Sequence, residues 1–309
     1  MTHAASPAPS VRISPEDIVR QLTHLPSAPR VLPKLKRLLG DTNSSLHEVV
    51  ALVRLDPGIA ARVLQVGNSA YYNQGLRCYT VEEAVHRVGY DQIYELVANA
   101  VASEVLVRPL AAYSMGADEL WQSSVACAVA AEGLADHIGI DRDIAYTIGL
   151  LHRVGMVAIN EWITRCAPET RFTVQALPLE TCEQERKALG FHNAEAGAAL
   201  LRLWEFPAVM SEPVRWQYMP TATAAHSQLS SLLAIAKWIK AVAVAPERMQ
   251  VPLDSQLLRR AGLALNQIPP LVTLVQQRLK EITCLLDDET AERCTLSFPG
   301  GERDIVAFR

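Results

Sequence analysis

The chain has 309 residues, half of them apolar, which is enough for one large or two modest domains around a sizeable core. Its 29 Lys and Arg against 33 Asp and Glu give a formal charge of −4, which carries no electrostatic footprint for nucleic acid or an anionic membrane surface. No apolar run approaches the roughly 18 to 20 residues of a spanning helix, and Met1 to Ser10 has no secretory pattern. The six cysteines are dispersed without CxxC pairing, so a cytoplasmic protein with buried, reduced thiols is expected.

Residues 1–14, rich in Ala, Ser and Pro, read as a disordered tail that ends at a helix start, with Pro15 at the first helical position and Glu16 and Asp17 complementing the dipole. In Arg30 to Arg37 the basic residues Arg30, Lys34, Lys36 and Arg37 read as a solvated helix face, with Leu32, Leu35, Leu38 and Leu39 as its buried side. Ser45 with Glu48, and Thr80 with Glu83, fit the capping box, and Asp56 before Pro57 is a third N-cap. The run Ala126, Ala128, Ala130 and Ala131 lets a neighbouring helix approach closely. From Asp143 to Trp162 apolar residues recur at three- and four-residue spacing, which predicts one largely buried helix. A turn at Gly190 leads to a helix that begins near His192; further helices follow over Ser227 to Val244 and Pro270 to Leu286. Around Pro299-Gly300-Gly301, Thr295 to Phe308 hints at a hairpin.

A metal hydrolase needs several imidazole and carboxylate ligands, with an adjacent His-Asp pair at the heart. Here His152 is followed by Arg153, a fixed cation that cannot be a ligand and repels a metal. His192 could face His152 across the bundle, but two imidazoles without a carboxylate make a poor hard-metal site. A hydrogen-bonded core or helix-end role is expected for both. His3, His24, His47, His86, His137 and His226 are expected at the surface. There is no G-x-S-x-G elbow, no Walker phosphate loop and no G-x-G-x-x-G fingerprint.

Leu25-Pro26-Ser27-Ala28-Pro29 followed by an amphipathic stretch, and above all Asp56-Pro57-Gly58-Ile59 through Arg62-Val63-Leu64 to Asn68-Ser69-Ala70-Tyr71-Tyr72, resemble the HDOD proteins (HD-related output domain), a bacterial signalling module related to HD-type phosphohydrolases. Ile148-Gly149-Leu150-Leu151-His152 is similar to the core G-L-L-H-D-I-G stretch. The resemblance covers roughly Leu22 to Lys240. It implies an all-α, two-lobed helical bundle: an HDOD domain over 15–240, divided into an N-terminal lobe (15–109) and an HD-like lobe (110–240), then a C-terminal helical extension and tail over 241–309.

Aligned on Trp121, the position of the first histidine ligand of HD hydrolases is Ser123; the His-Asp pair reads His152-Arg153, the lysine after Gly155 reads Met156, and the distal pair reads Gln217-Tyr218. The resemblance therefore implies a degenerate site with no catalytic residue, no metal and no cofactor. It implies a non-enzymatic regulatory module that binds another signalling protein, with its input expected from a separate molecule. Two alternatives stand beside it. One is a nucleotide sensor, for a cyclic dinucleotide or (p)ppGpp, in which Arg153 and Gln217 line a dead pocket and the Arg153 donor fork takes phosphate. The other is a residual metal-dependent phosphohydrolase using His152 and His192 with Asp136 or Glu195. In the N-terminal block, Asp56, Arg62 and Asn68 are candidates for helix capping, for cementing the lobes, or for contact with a ligand or partner. No DNA or membrane partner is expected.

Overall fold

The structure, a computed structural model, describes residues 13–22, 44–72, 75–89, 92–93, 109–174, 179–221, 225–245 and 252–286, the single positions 31, 34, 35 and 38, and the strand residues 295–297 and 305–307. Among these the fold is helical almost throughout, as expected. In chain order run α1 (Pro15–Val19), α2 (Leu46–Arg54), α3 (Pro57–Gly67), α4 (Val81–Val88), α5 (Ala117–Ala135), α6 (Arg142–Leu151), α7 (Val154–Cys166), α8 (Leu179–Leu189), α9 (Asn193–Leu203), α10 (Ala208–Arg215), α11 (Ser227–Val244), α12 (Ser255–Ala261) and α13 (Ile268–Leu286). A short antiparallel hairpin, β1 (Thr295–Ser297) with β2 (Ile305–Ala307), lies within the stretch where the sequence hints at one.

Local chemistry sets the helix starts. Ser14 accepts from Asp17 N while the Asp17 carboxylate accepts from Ser14 N, so the last residue of the expected tail already belongs to the cap of α1. The same reciprocal pair joins Ser45 and Glu48 ahead of α2. Asp56 Oδ1 accepts from Gly58 N and Ile59 N at 2.8 and 3.0 Å. The third capping box is only half formed. Thr80 accepts from Glu83 N, but the Glu83 carboxylate takes Tyr79 N instead of Thr80 N. The reason lies one residue upstream, where the Asn68 side chain holds both backbone groups of Cys78 and fixes how the chain enters α4. Gly89 ends α4 as a cap at φ +94°, its N–H bonded to Val85 O.

The single helix expected over Asp143 to Trp162 is two helices, α6 and α7, broken at His152-Arg153. Two glycines explain the break. A Cβ on Gly149 would lie 2.7 Å from Ala128 Cα and Cys127 O, so α6 presses backbone to backbone on the small-residue run of α5. On Gly155 it would lie 1.8 Å from Asn193 O and 2.5 Å from Gly197 N, so α7 is seated equally tightly on α9. Each glycine fixes its own helix axis, and the chain turns between them. The His152 Nδ1–H donates to Gly149 O at 2.6 Å, satisfying a carbonyl that the interrupted helix leaves open.

Some surface expectations change. Lys34 is 8% exposed instead of solvated, beside a fully buried Leu35, because the buried side of that segment is wider than a leucine stripe; Arg30, Leu32, Lys36, Arg37 and Leu39 lie outside the described residues. Cys78, Cys127 and Cys182 are buried free thiols as expected, whereas Cys166 is exposed because it ends α7; Cys294 and the Cys284 side chain lie outside the described residues. His47, His86, His137 and His226 are exposed, and His3 and His24 lie outside the described residues.

Helices α2 and α4 meet α5 and α6 around one guanidinium. Arg54, at the end of α2, lies 2.7 Å from Glu82 of α4, 3.4 Å from Glu132 of α5 and 3.2 Å from Asp143 of α6, and 4.5 Å above the Tyr146 ring. Tyr146 donates its hydroxyl to Arg54 O, and Trp121 Nε1 donates to Leu55 O. A small cavity of about 10 Å³ adjoins the cluster. Removing a buried charge leaves its partners uncompensated. Arg54→Met is expected to lower unfolding free energy by about 3 kcal/mol, and adding Glu132→Gln should recover part of that loss, both read from urea denaturation midpoints.

Candidate functional site

The corner at His152-Arg153 faces a set of polar groups from separate elements. Gln217, just past α10, donates Nε2 to His152 O at 2.9 Å and to Val214 O at 3.0 Å. From α11, Lys237 Nζ reaches Gln217 O at 3.4 Å and sits 3.3 Å from the centre of the Tyr218 ring. One turn on, Lys240 Nζ donates to Ser123 Oγ of α5 at 3.0 Å. Arg153 lies 3.2 Å from Met115 Sδ. Thus His152, Arg153 and Gln217 are brought together. His192 is not directly paired with His152, because Tyr218 stands beside it: its ring meets Tyr218 edge-on at 5.8 Å, and Tyr218 donates its hydroxyl to Asn193 Oδ1.

The electrostatics are one-sided. Among the described residues, Arg153, Lys237 and Lys240 have no ion pair. Glu185, a buried carboxylate, is engaged by Tyr113 OH, Asn193 N and Asn193 Nδ2. Lys237 and Lys240, three apart on α11, are neighbours on one helix face, where like charges oppose each other. Burial, and then Arg153, push the Lys240 ammonium down to about 7; burial and then Lys240 hold Lys237 well below its usual range. Burial, followed by Lys240, Arg153 and Lys237, holds His152 neutral. With Nδ1–H on Gly149, the neutral ring turns a bare Nε2 lone pair inward, and neither that atom nor Gln217 Oε1 has a partner. Among the described residues no group of three or more His, Cys, Asp and Glu is placed to hold a metal. A divalent ion here would meet three cations.

A family model described as HDOD domain matches residues 25–220, well over half of the chain. The chain belongs to the HDOD family. A curated relative, an uncharacterized protein of Treponema pallidum (strain Nichols), is 28% identical over 228 residues, 71% of this chain; the chain spans 42% of that relative's length. Two solved structures share the fold. The MmoQ response regulator of Methylococcus capsulatus str. Bath superposes with a TM-score of 0.67 at 21% identity, covering 81% of this chain and 98% of its own. A virulence factor of Campylobacter jejuni subsp. jejuni does so with 0.64 at 18%, covering 86% and 99%.

In this HDOD chain the N-terminal candidates do not join the corner. Asp56 is a fully buried N-cap, and Asn68 is a fully buried staple on Cys78. Arg62 is exposed and bonds Gln65 one turn away, so it cements nothing; that role falls to Arg54, two residues ahead of the Asp56 to Tyr72 stretch the sequence singles out. Asp136 pairs with Arg142 at 3.0 Å, and Glu195 caps His192 N at 2.9 Å, so neither completes a metal set with His152. The residues that sequence reasoning misses are Lys237 and Lys240. Their signal is present: two lysines at i and i+3 in the otherwise apolar helix Ser227–Val244.

Unfolded lysine keeps its proton to about pH 10.4, while Lys240 in the folded chain loses it near 7. Between pH 7 and 8.5 the unfolded state therefore binds more protons, and this group's contribution to stability rises with pH. Above that window the buried thiols of Cys78, Cys127 and Cys182, held protonated by burial, act in the opposite sense. The stability of the wild type relative to Lys240→Met is expected to grow by roughly 1–2 kcal/mol from pH 7 to pH 8.5, measured by urea denaturation at each pH.

Proposed function

We propose that this HDOD protein is a non-enzymatic regulatory module that relays a signal by binding another protein, and that its HD-type centre is degenerate. The observation that carries the reading is the Lys240–Ser123 hydrogen bond. Ser123 is the residue that stands, by resemblance, at the first histidine ligand of HD hydrolases, and it is held by an ammonium group. A cation cannot coordinate a metal and repels one nearby. Arg153 in place of the aspartate, and Gln217 tied to two backbone carbonyls, act in the same direction. The structural relatives fit a regulatory role: MmoQ is a response regulator, and the Campylobacter protein a virulence factor. Among the described residues no helix is long and apolar enough to cross a membrane.

The test joins two measurements on the full chain. Purified protein with Mn²⁺, Fe²⁺ or Mg²⁺ and a chromogenic phosphodiester or phosphomonoester is expected to give no turnover above buffer, and to retain no stoichiometric metal after dialysis. Metal-dependent turnover that His152→Ala abolishes would make the protein an enzyme and end this reading. Chemical cross-linking in the native cells should then recover a discrete partner at fixed stoichiometry, unchanged by chelator.

A further inference from the structure

Among the described residues, Arg153, Lys237 and Lys240 stand around the His152 corner without an ion pair, and two buried acceptors beside them have no donor. The basic side chains come from separate places, Arg153 at the α6–α7 turn and Lys237 and Lys240 on α11, and Gln217 bonds Lys237 through its carbonyl and the His152 carbonyl through its amide. Glu119, the carboxylate whose charge reaches both Arg153 and Lys240, is exposed on the first turn of α5 and bonded to neither. His152 and Gln217 are 2% and 1% exposed, yet His152 Nε2 and Gln217 Oε1 lack a hydrogen-bond partner. Buried polar atoms in native proteins are nearly always satisfied, and buried cations are paired. The groups left open thus describe their complement: an anion whose oxygens accept from ammonium and guanidinium groups, and which also carries an O–H to give to an acceptor. Arg153 and Lys237 keep partial solvent access.

We propose that this corner is a binding site for a phosphate group bearing a P–OH, either free phosphate or a phosphomonoester, held by Arg153, Lys237 and Lys240, with its hydroxyl donated to His152 Nε2. Arg153 supplies a planar donor fork and the lysines supply point charges. The assignment stands apart from the protein-partner reading, and either can fail alone. It also narrows the nucleotide alternative. A terminal phosphomonoester, with a second pKa of about 6, carries the required proton as its minor monoanion at pH 7, whereas the diester phosphates of a cyclic dinucleotide have none to give.

Calorimetric titration of the full chain at pH 7 and low ionic strength, with inorganic phosphate, sulfate, a nucleoside monophosphate and a cyclic dinucleotide as separate titrants, tests it. Phosphate is expected to saturate one site and to bind at least about tenfold more tightly than sulfate, which has no proton to donate; a lost charged hydrogen bond is worth about 1.5–3 kcal/mol, or roughly ten- to a hundredfold. Lys237→Met, the more accessible of the two lysine changes, should weaken phosphate by that factor, and Lys240→Met likewise. His152→Phe should erase the preference over sulfate. Arg259→Met, on exposed α12, should change nothing. Tighter binding of the monophosphate than of phosphate identifies a nucleotide source, and equal binding identifies free phosphate; both support the site. No saturation up to about 10 mM of any titrant, binding unchanged in both folded lysine variants, or diester binding equal to monoester, overturns it. Thermal melts of each variant establish that it is folded.

Discussion

The rest of the architecture hangs on two places where helices touch through backbone with no side chain between them. Gly149 brings α6 onto Ala128 of α5, and Gly155 brings α7 onto Asn193 and Gly197 of α9. Any Cβ at Gly155 would overlap a carbonyl, so this contact has no tolerance, and a protein interior already at crystal-like density cannot absorb the displacement. Five residues lie between the two glycines. Between them the chain abandons the helix, and the residues at that turn, His152 and Arg153, are delivered to the place where α5, α11 and the segment after α10 meet. The site is thus a product of helix packing. Its two central residues are aimed by the glycines on either side of the turn, one of which, Gly149, also accepts from His152.

The charges gathered there run against what a core wants. Burying an unpaired cation costs several kcal/mol, and cores usually avoid it or lower the group's pKa until it is neutral. Lys240 near 7 and a neutral His152 are the second response. The contrast with Arg54 is instructive. There a single guanidinium faces Glu82, Glu132 and Asp143 with an aromatic ring beneath it, so the charge is overcompensated and the contact holds elements together. Two cationic centres in one chain therefore have opposite local balances. The compensated one reads as structure, and the uncompensated one reads as a site with a missing counterpart.

Much of the fold was legible because it is local. Serine and aspartate N-caps, the Pro at N1 of α1 and α3, and the apolar period of α11 act over three or four residues, and the structure realises them. The long helix over Asp143 to Trp162 failed for a non-local reason: its period is continuous through His152, and only the presence of α5 and α9 forces the break. The site divides the same way. The loss of carboxylate and histidine ligands could be read from Ser123, Arg153 and Gln217 one position at a time. Where the two lysines of α11 end up could not, since Lys237 and Lys240 lie more than eighty residues beyond His152 and only the packing of α11 against α5 brings them to it. The interlobe role was sought at Arg62 and lies at Arg54 because a spacing shows which residues share a face but not which face is covered.

Helix α5 is where these features meet. Near its start Trp121 is bonded to Leu55 O; two residues on, Ser123 takes Lys240; further along, Ala128 receives Gly149, Glu132 faces Arg54, and Gly133 receives Leu271 of α13. Successive faces of one helix thus bear the N-terminal helices, the cationic corner and the C-terminal helix. Because its neighbours sit against alanine and glycine, α5 has little freedom to rotate or slide without disturbing all of them together. A change of charge at Lys240 acts on a helix that is also gripped by the Arg54 cluster. Within this fold, α5 is a wall shared by the corner and the N-terminal helices.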